Sequence, residues 1–335
     1  MEQPYQIDWI YLMTKILCSA DWHINLHKKK VPYDWQTARF REMFRKLLGL
    51  ESWIDVHVIA GDVFDKKPEP DEISLFLSYI NSVTIPTYII PGNHEATRKG
   101  ESFFEHLTEK NAIKNENVLV FTRNGRATCG KTSFQFFPYG EMQTDNLPEY
   151  VEGDILVTHI RGEVPPHITP EYDFSRLSPW GLCLLGDLHF NHRYGDTNCY
   201  YPGSPVNTTF DRDETRKYGV DIYDVVDSRN YTREFYDLDL PKLIRRKITA
   251  GEKMTTDARH HVVYEVIGSI DELSKIERSE LLDKKVVDKP TDDVTLDLKG
   301  KSLYEELELY LKHIKIQDVD TVLNEFKDLG ITSGS

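Results

Sequence analysis

Short apolar runs that end in small polar clusters recur along the first two-thirds of the chain. KILCSA leads into Asp21-Trp22-His23, VHVIA into Gly61-Asp62-Val63-Phe64-Asp65, and TYIIP into Gly92-Asn93-His94-Glu95. DILVT leads into His159, and LCLL into Gly186-Asp187-Leu188-His189. Each run has the length and the apolar, often β-branched content of a buried strand. Between some of them the period lengthens. Phe40, Phe44, Leu47 and Leu48 follow helical spacing within residues 34–48, with Arg39, Arg41, Arg45 and Lys46 on other faces. Residues 71–82 open on acids and carry an apolar stripe, and residues 101–110 read the same way. Strand, loop, helix, strand predicts an α/β core of layered sheets flanked by helices. In such sheets the loops at the carboxyl ends of the strands gather at one edge, so five remote segments can converge on one site.

The pattern changes after Pro241. A basic stretch, Lys242 to Lys247, precedes HHVVYEVIG, which predicts a strand, and DELSKIERSELL, which predicts a helix. Together they read as a small α+β capping domain. KPTDDVTLDLKGKS resembles a strand and linker. The last segments, SLYEELELYLKHI and DVDTVLNEFKDLG, predict two amphipathic helices. Leu303, Leu307 and Leu311 share a face of the first, and Leu323, Phe326 and Leu329 a face of the second. Asp318 or Asp320 suits the start of the second helix and Gly330 its end. The expected division is 14–238 for the main domain, 239–299 for the capping domain and 300–335 for the helical pair.

Composition changes this picture little. The 335 residues suffice for one large domain and a smaller one. No stretch approaches the ~20 apolar residues of a membrane span. MEQPYQIDWIYLMTK lacks the basic start and apolar run of a secretory signal. The four cysteines are widely spread with no CxxC pair, which reads as reduced thiols in a cytoplasmic protein. Charge matters more. A net charge of −14 opposes a free-standing, non-specific DNA binder, whose surface is usually basic. Bound cations would neutralise part of a carboxylate cluster, and a partner subunit could bring basic surface.

The polar clusters carry the candidate chemistry. Asp21, His23, Asp62, Asn93, His159, Asp187 and His189 supply carboxylate, imidazole and amide oxygen donors, which suit hard or borderline divalent ions. Asp62 follows a glycine in a tight turn and is placed to bridge two ions ~3.5–4 Å apart. One ion would then take Asp21, His23, Asp62 and His189, and the other Asp62, Asn93, His159 and Asp187. Each motif alone could be a turn, since Asp, Asn and Gly favour turns anyway. The ordered set of DxH, GDxxD, GNHE, H and GxxH at strand ends is what a turn reading does not explain.

That set resembles the calcineurin-like metallophosphoesterase superfamily, and within it the SbcD branch of DNA-repair and recombination nucleases. DWH, GDVFD and PGNHE follow the branch pattern, as does YPGSPVNTTFDRDE at 201–214. Overall similarity points to a phage origin. The resemblance implies a metal-dependent double-strand 3′-to-5′ exonuclease and single-strand endonuclease, with Mn²⁺, or else Mg²⁺, at both sites. It implies DNA ends as substrate, a partner ATPase of the SbcC type docked on the terminal helices, and a possible homodimer. It gives His94 a catalytic role facing the scissile phosphate rather than a metal. One motif departs: the family's last cluster usually reads GHxH, and here Asp187 stands for the first histidine. Aspartate still ligates Mn²⁺ or Mg²⁺, while its added charge could equally weaken the second site.

Other residues admit a functional and a plain reading. Lys28 and Lys29 could grip phosphate or form a solvated loop, and Arg161 and His167 could flank a substrate strand or be ordinary loop polarity. Tyr201 and Ser204 could contact the DNA backbone or belong to a tight turn. Asp65 could orient a ligand or cap a helix. Leu303, Leu307, Leu311, Leu323 and Phe326 could dock the ATPase or pack internally. Two functions compete with the nuclease: a phosphatase or phosphodiesterase of the same superfamily, and a DNA-end scaffold with a weakened site.

Overall fold

Side-chain alternation along the strands sorts the core into layers. The structure is a computed structural model and describes residues 13–96, 102–142, 147–162, 169–288, 301–314, 316 and 318–328. Strands β1 (Thr14–Ser19), β2 (Val56–Ala60), β3 (Thr87–Ile90) and β4 (Val118–Val120) lie parallel in that order. Helices α1 (Tyr33–Leu50), α2 (Pro70–Ile80) and α3 (Phe103–Glu109) connect them. A second sheet has β5 (Gly125–Cys129), β6 (Thr132–Phe137), β7 (Asp154–His159), β8 (Cys183–Gly186), β9 (His192–Arg193) and β10 (Cys199–Tyr201), with the short helix α4 (Tyr139–Met142) after β6. Its order is β5-β6-β7-β8-β10-β9, parallel from β6 to β10. Strands β11 (Gly219–Asp227) and β12 (Asn230–Asp237) then return to the first sheet, antiparallel beside β1.

In β1, Ile16 and Cys18 point between the sheets, where they meet Val58, Phe134, Phe136, Val157 and Leu184. Leu17 points the other way, onto the helices, with Ile59, Ile89, Phe40, Phe44 and Leu47. Period 2 in the strand and period 3.6 in α1 thus build adjoining layers. Each large side chain so buried contributes about 1.5–3 kcal/mol. Helix starts are set by local chemistry. Pro70 stands at the first turn of α2 behind a Glu69–Glu72 capping box, and Ser102 with Glu105 does the same for α3.

The small three-stranded sheet comprises β13 (Leu243–Thr249), β14 (His261–Gly268) and β15 (Leu282–Val287), with α5 (Ile270–Ser274) between the last two. Here the expected helix over DELSKIERSELL is corrected: it stops at Ser274. Lys285 Nζ takes the carbonyls of Leu273 and Ile276, and Tyr264 N donates to Leu281 O, so the rest of the segment turns and feeds an unforeseen strand. Contacts divide the chain into residues 1–286, which include the small sheet, and 287–335. In the second unit, α6 (Leu303–His313) and α7 (Val319–Asp328) pack together, with Tyr304 and Phe326 ring centroids 6.4 Å apart. Asp318 accepts from Thr321 N as the start of α7. The strand read into KPTDDVTLDLKGKS lies almost wholly outside the described residues, as do Leu329 and Gly330.

Candidate metal centre

Five strand ends meet at one edge of the two sheets: β1, β2 and β3 from the first, β7 and β8 from the second. The chain leaves them in conformations that side chains rarely adopt. Asp21, His23, Asp62 and Asp187 have φ of 54, 45, 51 and 105°. Each such backbone costs of order 1–3 kcal/mol, and strain of this kind gathers where surrounding structure over-determines it. The bonds that do so are visible: Asp21 N donates to Gly61 O and His23 N to Asp62 O, both at 3.0 Å. Asp187 N donates to both Asp21 carboxylate oxygens, at 3.1 and 3.2 Å. Two glycines make the approach possible. A Cβ at Gly92 would strike the Asp62 carboxyl, and one at Gly186 would strike Ala60 O and His159 Nδ1.

Asp62 stands at the middle. Its Oδ1 lies 3.5 Å from His159 Nε2, and its Oδ2 3.6 Å from His23 Nε2 and 3.8 Å from His94 Nε2. His23 Nε2 is also 4.0 Å from Asp21 Oδ1 and 2.9 Å from His189 Nε2. On the other flank His159 Nε2 is 3.2 Å from Asn93 Oδ1 and 3.8 Å from Asp187 Oδ1. Partners behind the rings aim these nitrogens. His159 Nδ1 donates to Ala60 O at 2.8 Å, and Thr208 Oγ1 lies 3.1 Å from His189 Nδ1. Asp65 Oδ1 stands 3.4 Å from His23 Nδ1 and its Oδ2 accepts from Asn25 at 2.7 Å. Asp65 faces the His23 ring and is not a helix cap, since α2 begins at Pro70.

Crowding displaces the proton equilibria. Burial, with the neighbouring Asp62 and Asp187 charges, raises the Asp21 carboxyl well above the usual range against the pull of His159. Burial opposes charge on His159, yet Asp62, Asp21 and Asp187 push it up to about 10. Asp62 is held well below the ordinary carboxylate value by its imidazole neighbours despite its burial. Burial and the charge on His23 lower His189 to about 4. Three buried carboxylates among histidines make a donor set that divalent cations of the hard or borderline class fit. Asp21–His23–His189 and Asp21–Asp62–His159 each bring ligand atoms within 4.8 Å of one another, as does His23–Asp62–His94.

The seven donor residues proposed from sequence thus share one locus, with His94 on its exposed side. Asp187 also has a second partner, because Arg161 grips it through two bonds, Nε–Oδ2 at 2.8 Å and Nη2–Oδ1 at 3.1 Å. The same guanidinium lies 3.9 Å from Glu171. The reading of Tyr201 and Ser204 as DNA contacts is corrected. Tyr201 is fully buried with its hydroxyl on Ile160 O at 2.9 Å, and Ser204, 2% exposed, donates to Asp21 O at 2.6 Å. Both brace the floor of the site. Lys28 and Lys29 line a cavity beside it, and His167 lies outside the described residues. In the terminal helices Leu311 and Leu323 are buried, so they pack inward; Leu307 and Phe326 are half-buried and Leu303 is exposed.

Sequence reasoning left Glu95 without a role. Its carboxylate is buried and accepts from the amides of Asp62 (3.0 Å), Gly92 (2.9 Å) and Phe64 (2.8 Å). Burial and the Asp62 charge push it up to about 7. Its place in GNHE was the available signal. Thr208, in the VNTTFD segment, carried none.

The pattern of the calcineurin-like phosphoesterase model matches residues 14–226, the segment that holds the second sheet, the first sheet up to β11 and every strand end of the site. The chain belongs to the calcineurin-like phosphoesterase family. This phosphoesterase is 35% identical over 320 residues to the probable exonuclease subunit 1 of Escherichia phage T5, covering 92% of this chain and 96% of that one. It is 26% identical over 250 residues to the DNA double-strand break repair protein Mre11 of Haloferax volcanii, covering 68% of this chain and 55% of that protein. Among solved structures it is similar to the anchor in the inner membrane complex of Plasmodium, with a TM-score of 0.44, 11% identity, and 70% and 89% of the two chains covered.

Proposed function

We propose that this phosphoesterase is a DNA nuclease that cuts phosphodiester bonds with two divalent ions, Mn²⁺ or else Mg²⁺, held by Asp21, His23, Asp62 and His189 on one side and Asp62, Asn93, His159 and Asp187 on the other. The observation that carries the reading is that His159 and His23 each face a different oxygen of Asp62, at 3.5 and 3.6 Å. The names of the phage exonuclease subunit and of Mre11 support DNA as the phosphodiester. When bound, the ions supply Lewis-acid activation of water and neutralise charge on the phosphate. The chain's own contribution is positional. Asp62 and His159 hold the centre from opposite sheets. His94 donates through Nδ1 to Asp65 O, which leaves Nε2, 3.8 Å from Asp62 Oδ2 on the exposed side of the centre, to place a proton on the leaving oxygen. Double-strand 3′-to-5′ exonuclease and single-strand endonuclease activities, a host-cytoplasmic site of action and a partner ATPase of the SbcC type complete the reading.

The test is Asp62→Ala on linear duplex DNA with Mn²⁺. Cleavage should fall by about a thousandfold or more, as for loss of a catalytic metal bridge, while circular dichroism stays that of the folded chain. A fully active variant would refute the assignment. One observation favours a second reading, a centre with a weakened second ion: the Arg161–Asp187 ion pair sets a cation against one of its ligands. Calorimetric titration with Mn²⁺ separates them, since two ions per chain support the first and one ion the second.

A further inference from the structure

A basic groove opens beside the metal centre, and among the described residues that line it one is a carboxylate. The loop after His23 and the small sheet enclose a cavity of about 490 Å³ lined by Lys28, Lys29, Lys30, Phe210, Arg245 and Asp283, with Asn25, His27 and Thr209. For a chain of net charge −14, four lysine and arginine side chains against a single acid is a local inversion of sign. The groove lies next to the centre. Lys28 also lines a smaller cavity with His23 and Asp65, and Asn25 donates to Asp65, which faces His23.

Asp283 is held from both walls. Lys30 Nζ, on the core loop, reaches Asp283 Oδ1 at 2.5 Å and its carbonyl at 2.7 Å. Arg245 Nη2, on β13, reaches Oδ2 at 2.7 Å. The carboxylate keeps only 12% of its surface exposed, and its cations 35% and 25%. Lys30 is fixed in a strained backbone, φ 66°, with its carbonyl accepting from His261 Nε2 at 2.6 Å. Two cations converging from opposite walls on two oxygens is also the way a backbone phosphate is gripped.

We infer that the Lys30–Arg245 pair is a phosphate-binding seat for the DNA backbone and that Asp283 occupies it as an internal phosphate mimic, which substrate displaces. The inference rests on the DNA reading above and locates where the strand runs: away from the metal centre, past Lys28, toward β13 and β15. It also accounts for binding by an acidic protein, since the groove's excess of cations offers a polyanion a local basic face.

The experiment measures affinity of the full chain for a short fluorescent duplex by anisotropy, in Ca²⁺ or EDTA to suppress cutting, across a salt series. Asp283→Asn should tighten binding by about three- to tenfold at low salt, because one competing anion is gone. Lys30→Gln should weaken binding and make the salt slope shallower by about one, as for one lost phosphate contact. An Asp283→Asn chain that binds no better than the unaltered one overturns the inference. Should that variant unfold, Lys30→Gln decides alone, and an unchanged salt slope overturns it. An unaltered chain that neither binds nor cuts DNA overturns the DNA reading as well. Binding without either variant effect sinks the seat and leaves that reading standing.

Discussion

Glu95 accepts three backbone amides from two different turns, and those turns carry Asp62 and Asn93. Its geometry therefore ties the turn of the central carboxylate to that of Asn93. A glutamine there can accept through one atom only and would turn an N–H₂ toward amides that need an acceptor. Glu95→Gln is expected to lower Mn²⁺ affinity and kcat together by about ten- to a hundredfold, as for other residues that orient metal ligands. Calorimetric titration checks the first and a cleavage assay the second. An unchanged Mn²⁺ affinity would reduce Glu95 to loop packing. Asp187 and Arg161 pose the complementary case. Neither sequence position announces the other, yet 26 residues apart they form a two-bond ion pair at the edge of the centre.

At the scale of elements, α6 presents two faces. Leu311 is buried, while Leu303, Tyr310 and Ile314 are 48, 52 and 44% exposed. Positions 303, 307, 310 and 314 follow the spacing of one helical stripe, so the apolar row open to a partner is offset from the one read in the sequence. If an ATPase docks on this stripe, the double variant Leu303→Asp/Tyr310→Asp should lose co-elution with it in size-exclusion chromatography, with cleavage of short DNA by the isolated chain unaffected. Retained co-elution would assign the docking elsewhere. The small sheet makes a related point. Its strand β14 was legible from HHVVYEVIG, but the expected helix over 271–282 ends at Ser274, where Lys285 Nζ takes the Leu273 carbonyl and Tyr264 N donates to Leu281 O.

The whole molecule carries a titration that involves no ligand. His57 lies in β2, fully buried, with Ser19 Oγ 2.8 Å from Nε2 and Tyr79 OH 3.2 Å from Nδ1. Burial lowers it from 6.5 to about 3. A base depressed in the folded state contributes stability that is present above its unfolded value. That stability is lost as pH falls from about 6.5 toward about 3, because the unfolded chain takes up the proton first. The loss should reach the order of a few kcal/mol. Melting temperature between pH 7 and pH 4 should therefore fall less steeply in His57→Gln than in the unaltered chain, and equal slopes would exclude His57 as a source.

The placement of the seven candidate donors at strand ends was legible from the chain alone, because a strand that must be buried ends where polar residues begin, and that boundary is local. So were α1, α2 and the buried strand β1. Burial of Tyr201 and Ser204, the grip of Arg161 on Asp187 and the opposition of Lys30 to Arg245 across Asp283 were decided only in the folded chain. A side chain's exposure and its counter-charge depend on segments tens to hundreds of residues away, and only packing brings those segments together.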